Sequence, residues 1–106
     1  MEINYIFRYH NSSDKIYSDS KIDFENQIQE RLLPLADQTK IKIDSISFNF
    51  DYESSHDKKY VLETSIDSPD FTFAHVEEDK DPQVIVHKSI DTILQFVRKH
   101  KEKLSN

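Results

Sequence analysis

The sequence of 106 residues contains no glycine, no cysteine and no tryptophan, and only three prolines. Proteins usually contain about 7% glycine. Turns that need a positive φ angle must therefore use other residues, and we expect Asn or Asp there because they tolerate that region best after glycine. The absence of cysteine excludes disulfide bonds, thiolate metal sites and a cysteine nucleophile.

Long hydrophobic runs are also missing. No window approaches 18 consecutive apolar residues, so we expect no membrane-spanning helix and no membrane partner. The first residues lack the basic start and apolar stretch of a signal peptide. These features predict a cytoplasmic protein, and the length fits one domain over residues 1–106.

The charge of the chain is unevenly distributed. The net charge is −6, which by itself disfavours a nucleic-acid partner. Residues 81–106, however, carry five basic and three acidic side chains, whereas residues 1–80 carry nine basic and seventeen acidic ones. The sequence therefore places a basic C-terminal segment on an acidic body.

Four segments alternate between apolar and polar residues with the period of a β-strand. They lie near residues 3–9, 46–52, 60–66 and 71–76. The polar sequence 67–70, Asp-Ser-Pro-Asp, predicts a turn that joins the last two strands as a hairpin. The second segment has one polar face, which is typical of a sheet covered on one side only.

Two segments have helical periodicity. Residues 11–20 are polar and predict a loop, after which apolar residues recur from Phe24 at helical spacing until Pro34, which should end or kink that helix. The acidic residues 77–81 predict a linker, and Asp81 before Pro82 predicts a helix N-cap. The order β-α-β-β-β-α predicts a single α+β domain, with a mostly antiparallel four-stranded sheet and two helices packed on one face.

This order resembles the ribosome hibernation-promoting factor and ribosome-associated inhibitor family. Two stretches carry the resemblance: residues 66–74, Ile-Asp-Ser-Pro-Asp-Phe-Thr-Phe-Ala, and Asp81 followed by a helix that ends in residues 97–104, Val-Arg-Lys-His-Lys-Glu-Lys-Leu. The likeness extends over the whole chain in element order and over about the last forty positions in sequence, and it is to a short and divergent form.

The resemblance implies that the small ribosomal subunit is the partner. Members of the family occupy the decoding region, where mRNA and transfer RNA otherwise bind, and they inhibit translation without catalysing a reaction. The sequence departs from the family where it has Thr92 and Gln95 instead of basic residues. A second hypothesis therefore stays open, in which the chain is a protein-interaction module that kept the fold and lost the ribosome.

The basic residues of the last helix are the candidate RNA-binding residues. At about 100° per residue, Lys88, Lys99 and Lys103 fall in one stripe opposite the predicted core face, with Arg98 on its flank. Cations of this kind contact phosphates without distinguishing sequence. The alternative is a solvated helix end that complements the helix dipole. The candidate residues, including those taken from the family's basic terminus and from the first strand, are Arg8, His10, Lys88, Arg98, Lys99, Lys101 and Lys103.

Two other features have competing interpretations. Phe96 lies beside the basic stripe and could stack on a base, although we favour packing against the core because Phe is usually buried. His87 and Asp91 have i, i+4 spacing, but two ligands are too few for a metal site. We find no catalytic motif, so we expect no enzymatic activity, no cofactor, no metal and no small-molecule substrate.

Overall fold

The computed structural model describes residues 4–10, 14–53 and 58–104. Within these ranges the side chains of Tyr5, His10, Asp14, Glu53 and residues 101–104 are not described. Residues 53–58 form a polar stretch between two predicted strands, and they lie mostly outside the described residues. The beginning of the predicted loop at residues 11–20 also lies outside the described residues.

The four strands form one mixed sheet in the order β1-β2-β3-β4. Their bounds are β1 Asn4–His10, β2 Ser45–Glu53, β3 Lys59–Asp67 and β4 Thr72–Asp79. Strands β2, β3 and β4 are antiparallel neighbours, whereas β1 pairs with β2 in parallel. A parallel pair needs a crossover connection, and the first helical segment supplies it. The predicted α+β fold class, element order and mostly antiparallel sheet are confirmed.

Three consecutive helical segments make up this crossover, which we call the first helical arm. They are helix α1, Asp14–Gln27, a π-helical turn, Ile28–Leu32, and helix α2, Leu33–Thr39. The prediction of a loop at residues 14–20 is therefore wrong. Ser20 is buried in this helix, so the helix begins well before Phe24, the first apolar residue of the predicted helical pattern.

Pro34 does not end the helical arm, so of the two predicted outcomes, an end or a kink, the structure excludes the first. The π-helical turn directly precedes it, and the Leu33 amide donates to the Ile28 carbonyl, five residues back. A wider turn of this kind relieves the clash between a proline ring and the preceding turn. Pro34 then stands in the first turn of α2, where a missing N–H costs nothing.

The end of the helical arm shows how the chain turns without glycine. Lys40 adopts the left-handed region at φ 58°. Its amide donates to the Asp37 carbonyl, and the Ile41 amide donates to the Ala36 carbonyl at 3.0 Å, the two hydrogen bonds of a Schellman motif. Lys58 also has a positive φ of 44°. The expectation that Asn or Asp would supply such positions is wrong at both of these lysines.

Helix α3, Pro82–Leu104, lies with the helical arm on one face of the sheet. The core between the two layers includes Phe48 and Phe50 of β2, and Val86, Ile90 and Ile93 of α3, each at most 2% exposed. Phe48 and Phe50 alternate with the polar face predicted for β2, and the three residues of α3 lie opposite its predicted basic stripe. The predicted phases of strand β2 and helix α3 are therefore confirmed. The other face of the sheet is not covered by any element of residues 4–10, 14–53 and 58–104.

Strand β4 extends farther than its alternating pattern. Residues 77–79, which were predicted to be part of a linker, are the last residues of β4 and pair with residues 60–62 of β3. An edge strand tolerates this acidic stretch because one side of its backbone faces solvent. The longer strand places Asp79 beside the first turns of α3.

Candidate nucleic-acid interface

Helix α3 begins as its sequence predicts. The Asp81 carboxylate accepts a hydrogen bond from the Gln83 amide at 2.8 Å, and Pro82 occupies the first helical position. The helix buries one continuous face against the sheet and exposes the opposite one. Lys88, Gln95 and Lys99 are exposed and Thr92 is half-buried, so the predicted stripe exists as a surface.

Lys88 is the first cation of this stripe, and it already has a carboxylate partner. Its ammonium nitrogen lies 2.7 Å from Asp79 Oδ2 at the end of β4. The other Asp79 oxygen accepts the Asp81 amide at 2.9 Å. The Lys88 hydrogen bond lowers the pKa of Asp79 below its ordinary value of 3.8, and the same bond raises the pKa of Lys88 above 10.5. Sequence analysis missed Asp79, because that residue was assigned to a linker.

The Asp79–Lys88 ion pair should make the stability of the fold depend on pH. A carboxyl with a lowered pKa stabilises the fold above its unfolded pKa, near 3.8, and this contribution disappears as the pH falls through the lower folded value. We expect Asp79→Asn to lower the free energy of unfolding at neutral pH. In strong acid, where Asp79 of the wild-type protein is protonated, the two proteins should be equally stable. Urea unfolding of both proteins over a pH series measures this. The exposed Glu63→Gln serves as a control, and a pH-independent effect of Asp79→Asn would contradict the assignment.

A second ion pair pairs a charge in the middle of the exposed surface of α3. Arg31 donates to Asp91 at 3.0 Å and also to Gln27 Oε1 at 3.2 Å, so it links the helical arm to α3. At the start of α3, His87 Nε2 lies 3.6 Å from Asp23. His87 and Asp91, the two residues considered above as metal ligands, therefore contact different residues. The described part of the chain contains no cluster of three metal-ligating side chains.

The next cations along α3 differ from Lys88 in their ion pairing. Arg98 and Lys99 are exposed in the last turns of α3. Among the side chains that the structure describes, neither forms an ion pair. Lys101 and Lys103 continue the same helix, but their side chains lie outside the described residues. The exposed basic part of the interface therefore begins at Arg98.

An aromatic cluster fixes this end of the helix to the sheet. Phe96 packs at ring-centroid distances of 4.9 Å from Phe71 and 4.7 Å from Phe73. The His100 ring lies 4.9 Å from Phe71 as well. The predicted packing of Phe96 against the core is confirmed. Arg98 and Lys99 thus stand on a helix end held by packing, which limits the entropy lost when they bind.

The candidate residues of strand β1 lie elsewhere. Arg8 is exposed on the uncovered face of the sheet, opposite the face on which α3 packs. His10 is the last residue of the same strand, and its side chain lies outside the described residues. A surface containing both Arg8 and Arg98 would have to wrap around the sheet, so the structure does not bring these two groups together.

No helix of the described residues is long and apolar enough to cross a membrane.

No model of a known protein family matches the sequence, and no curated protein shows significant similarity to it. Solved structures do share the fold. The N-terminal domain of Protein Y from Thermus thermophilus superposes with a TM-score of 0.67 at 18% identity, covering 93% of this chain and 98% of that one.

A ribosomal subunit interface protein from Coxiella burnetii superposes with a TM-score of 0.58 at 14% identity, covering 93% of this chain and 98% of that chain. Identities this low establish the fold and leave the activity to be argued from the residues. The predicted resemblance to the ribosome hibernation factors is thereby confirmed at the level of the fold.

Proposed function

We propose that the protein binds the small ribosomal subunit in its decoding region and inhibits translation by excluding mRNA and transfer RNA. The observation that carries the proposal is the exposed basic end of α3, on a fold shared with a ribosomal subunit interface protein. Arg98 and Lys99 present two cations that no described carboxylate neutralises. A bound protein would block the decoding region by occupying it, without a catalytic step.

The chemistry of binding would be phosphate contact. Lys and Arg displace the counterions condensed on RNA, and this release makes affinity fall as the salt concentration rises. Such contacts position a protein without reading sequence. Lys88 would contribute only by exchanging Asp79 for a phosphate, so its share of the affinity should be smaller than that of Arg98 or Lys99. Lys101 and Lys103 extend the same helix end in sequence and belong to the proposed contact set.

A protein-interaction module without ribosome binding is the second candidate. The net charge of −6 favours it, as does the engagement of Lys88 by Asp79 and of Arg31 by Asp91. Gln95 also leaves an uncharged position in the exposed stripe. Under this hypothesis the basic helix end is a solvated terminus.

Sedimentation with isolated ribosomal subunits tests the proposal. We expect the protein to pellet with small subunits at low salt, to pellet less at moderate salt, and to remain in the supernatant with large subunits. Prior binding of mRNA and transfer RNA to the small subunit should displace it, because the proposed sites overlap. Failure to pellet with small subunits at low salt would favour the interaction module, and binding unaffected by mRNA and transfer RNA would exclude the decoding region.

A further inference from the structure

A cleft with a volume of about 400 Å³ lies between helix α1 and the first turn of α3. Three carboxylates line it, Asp19 and Asp23 of α1 and Asp81 at the cap of α3, and none of the described residues that line it is a lysine or an arginine. We call it the acidic cleft. The helix from Pro82 to Arg98 is about 24 Å long at about 1.5 Å per residue, so the cleft is distant from the basic end of α3.

The carboxylates of the acidic cleft are only partly neutralised. Among the described side chains, Asp19 forms no ion pair, and Asp23 is paired with His87 alone, at 3.6 Å. Asp81 accepts the Gln83 amide and offsets the positive end of the α3 dipole. Asp19 and Asp23 are also about one helical turn apart, where like charges repel each other. The cleft therefore attracts a cation and repels the phosphates of a nucleic acid.

A nearly buried hydroxyl gives a second, independent indication of a ligand. Ser20 is 5% exposed and lines the acidic cleft, between Asp19 and Asp23 of the same helix. Its hydroxyl forms no hydrogen bond with any described residue, whereas the hydroxyls of Thr39 and Thr92 donate to carbonyls one turn back along their helices. A polar group this buried is unfavourable without a partner. A ligand that donates a hydrogen bond inside the cleft would satisfy the Ser20 oxygen.

We propose that the acidic cleft binds an arginine side chain from a basic, extended segment of a partner protein. The guanidinium group carries five N–H donors in a planar fork, so it can serve carboxylates on both helices and the Ser20 hydroxyl together. Its aliphatic stem would lie on the apolar part of the lining, which consists of Ile16, Pro82 and Val86.

Other ligands fit the acidic cleft less well. The described residues contain no group of three metal-ligating side chains that could hold a metal ion. A lysine ammonium is more strongly hydrated than a guanidinium and has only three donors. A volume of about 400 Å³ is at the small end of ligand sites, so the partner contributes one long side chain with its neighbouring backbone. This inference does not depend on the proposed function, because it is tested without ribosomes.

Nuclear magnetic resonance titration of the full chain tests the proposal. The probe is the peptide acetyl-Gly-Gly-Arg-Gly-Gly-amide, with matched peptides that carry lysine or citrulline in place of arginine. We expect the arginine peptide to shift the backbone amides of Ser20, Gln83 and His87, with a dissociation constant on the order of 0.1–1 mM. The lysine peptide should bind at least about threefold more weakly. The citrulline peptide, which has a similar shape without the charge, should not reach saturation.

Variants of the cleft locate the site. Asp19→Asn/Asp23→Asn should weaken binding of the arginine peptide by about tenfold, because two carboxylates no longer contribute. Ser20→Ala should weaken it by about threefold without destabilising the fold, since the hydroxyl has no described partner to lose. The control Glu30→Gln/Asp37→Asn changes the net charge equally on exposed residues of the helical arm, and it should leave the affinity unchanged. Circular dichroism of each variant verifies that the fold is retained.

The same titrations can contradict the proposal. An arginine peptide that causes no saturable shifts at the three amides would overturn it. Equal affinity for the arginine and citrulline peptides would exclude recognition of charge, and equal weakening by both double variants would exclude the acidic cleft as the site. Agmatine, a small guanidinium compound without a peptide backbone, should bind no more tightly than the peptide. An affinity for agmatine about tenfold higher would overturn the assignment to a protein segment.

Discussion

Reversing Arg98 and Lys99 to glutamate should weaken binding to the small ribosomal subunit by at least about tenfold and flatten its salt dependence. Each phosphate contact contributes about one unit to the slope of log affinity against log salt, so losing both should reduce that slope by about two units. Stability should change little, because the two side chains are exposed and exposed charges contribute less than about 1 kcal/mol. Subunit affinity measured over a salt series checks both quantities.

The matched control reverses two exposed lysines at the other end of the molecule. Lys15 lies at the start of α1 and Lys80 just before α3, so Lys15→Glu/Lys80→Glu gives the same net charge at a different place. We expect this control to change the affinity far less and to keep the slope. If both double variants bind equally weakly, total charge governs the interaction and the end of α3 is not the contact surface. If neither loses affinity, the RNA contacts lie elsewhere.

Ile90→Ala should lower the free energy of unfolding by about 2–5 kcal/mol. Ile90 is 0% exposed in the middle of α3, where it packs in the core between helices and sheet. Truncation removes buried apolar surface and leaves a cavity that the surrounding core fills only in part. Urea unfolding of the purified variant measures the loss.

Val84 provides the comparison on the same helix. It is β-branched like Ile90 but 39% exposed, so Val84→Ala should change stability by less than about 0.5 kcal/mol. A loss of that small size for Ile90→Ala would show that α3 does not bury this face. A large loss for Val84→Ala would show that another element covers the outer surface of the helix.

The position of Lys88 illustrates what a charge pattern leaves undetermined. Helical spacing correctly placed Lys88 and Lys99 in one exposed stripe. It gave no sign that Asp79 reaches Lys88 at 2.7 Å, because that contact depends on β4 continuing to the first turns of α3. The pattern of charges in the sequence therefore identified the candidate surface. The contact between Asp79, at the end of β4, and Lys88 determines that the exposed basic part of this surface begins at Arg98.

The sequence by itself determined the features that depend on neighbouring residues. Alternation predicted the buried face of β2, and helical spacing together with the Asp81 cap predicted the start and core face of α3. Each of these follows from periods and hydrogen bonds that span at most a few residues.

Only the tertiary structure decided the rest. Pro34 is accommodated by the π-helical turn before it, and packing of Phe24 and Ile28 before it and of Ala36 after it in the core keeps the arm helical on both sides. Lys40 takes a left-handed conformation that its type disfavours, because the Schellman hydrogen bonds and the buried Ile41 hold it there. The parallel pairing of β1 with β2 depends on where the helical arm crosses the sheet. At Pro34 and Lys40, burial of neighbouring residues in the core outweighed a local preference of about 1–3 kcal/mol.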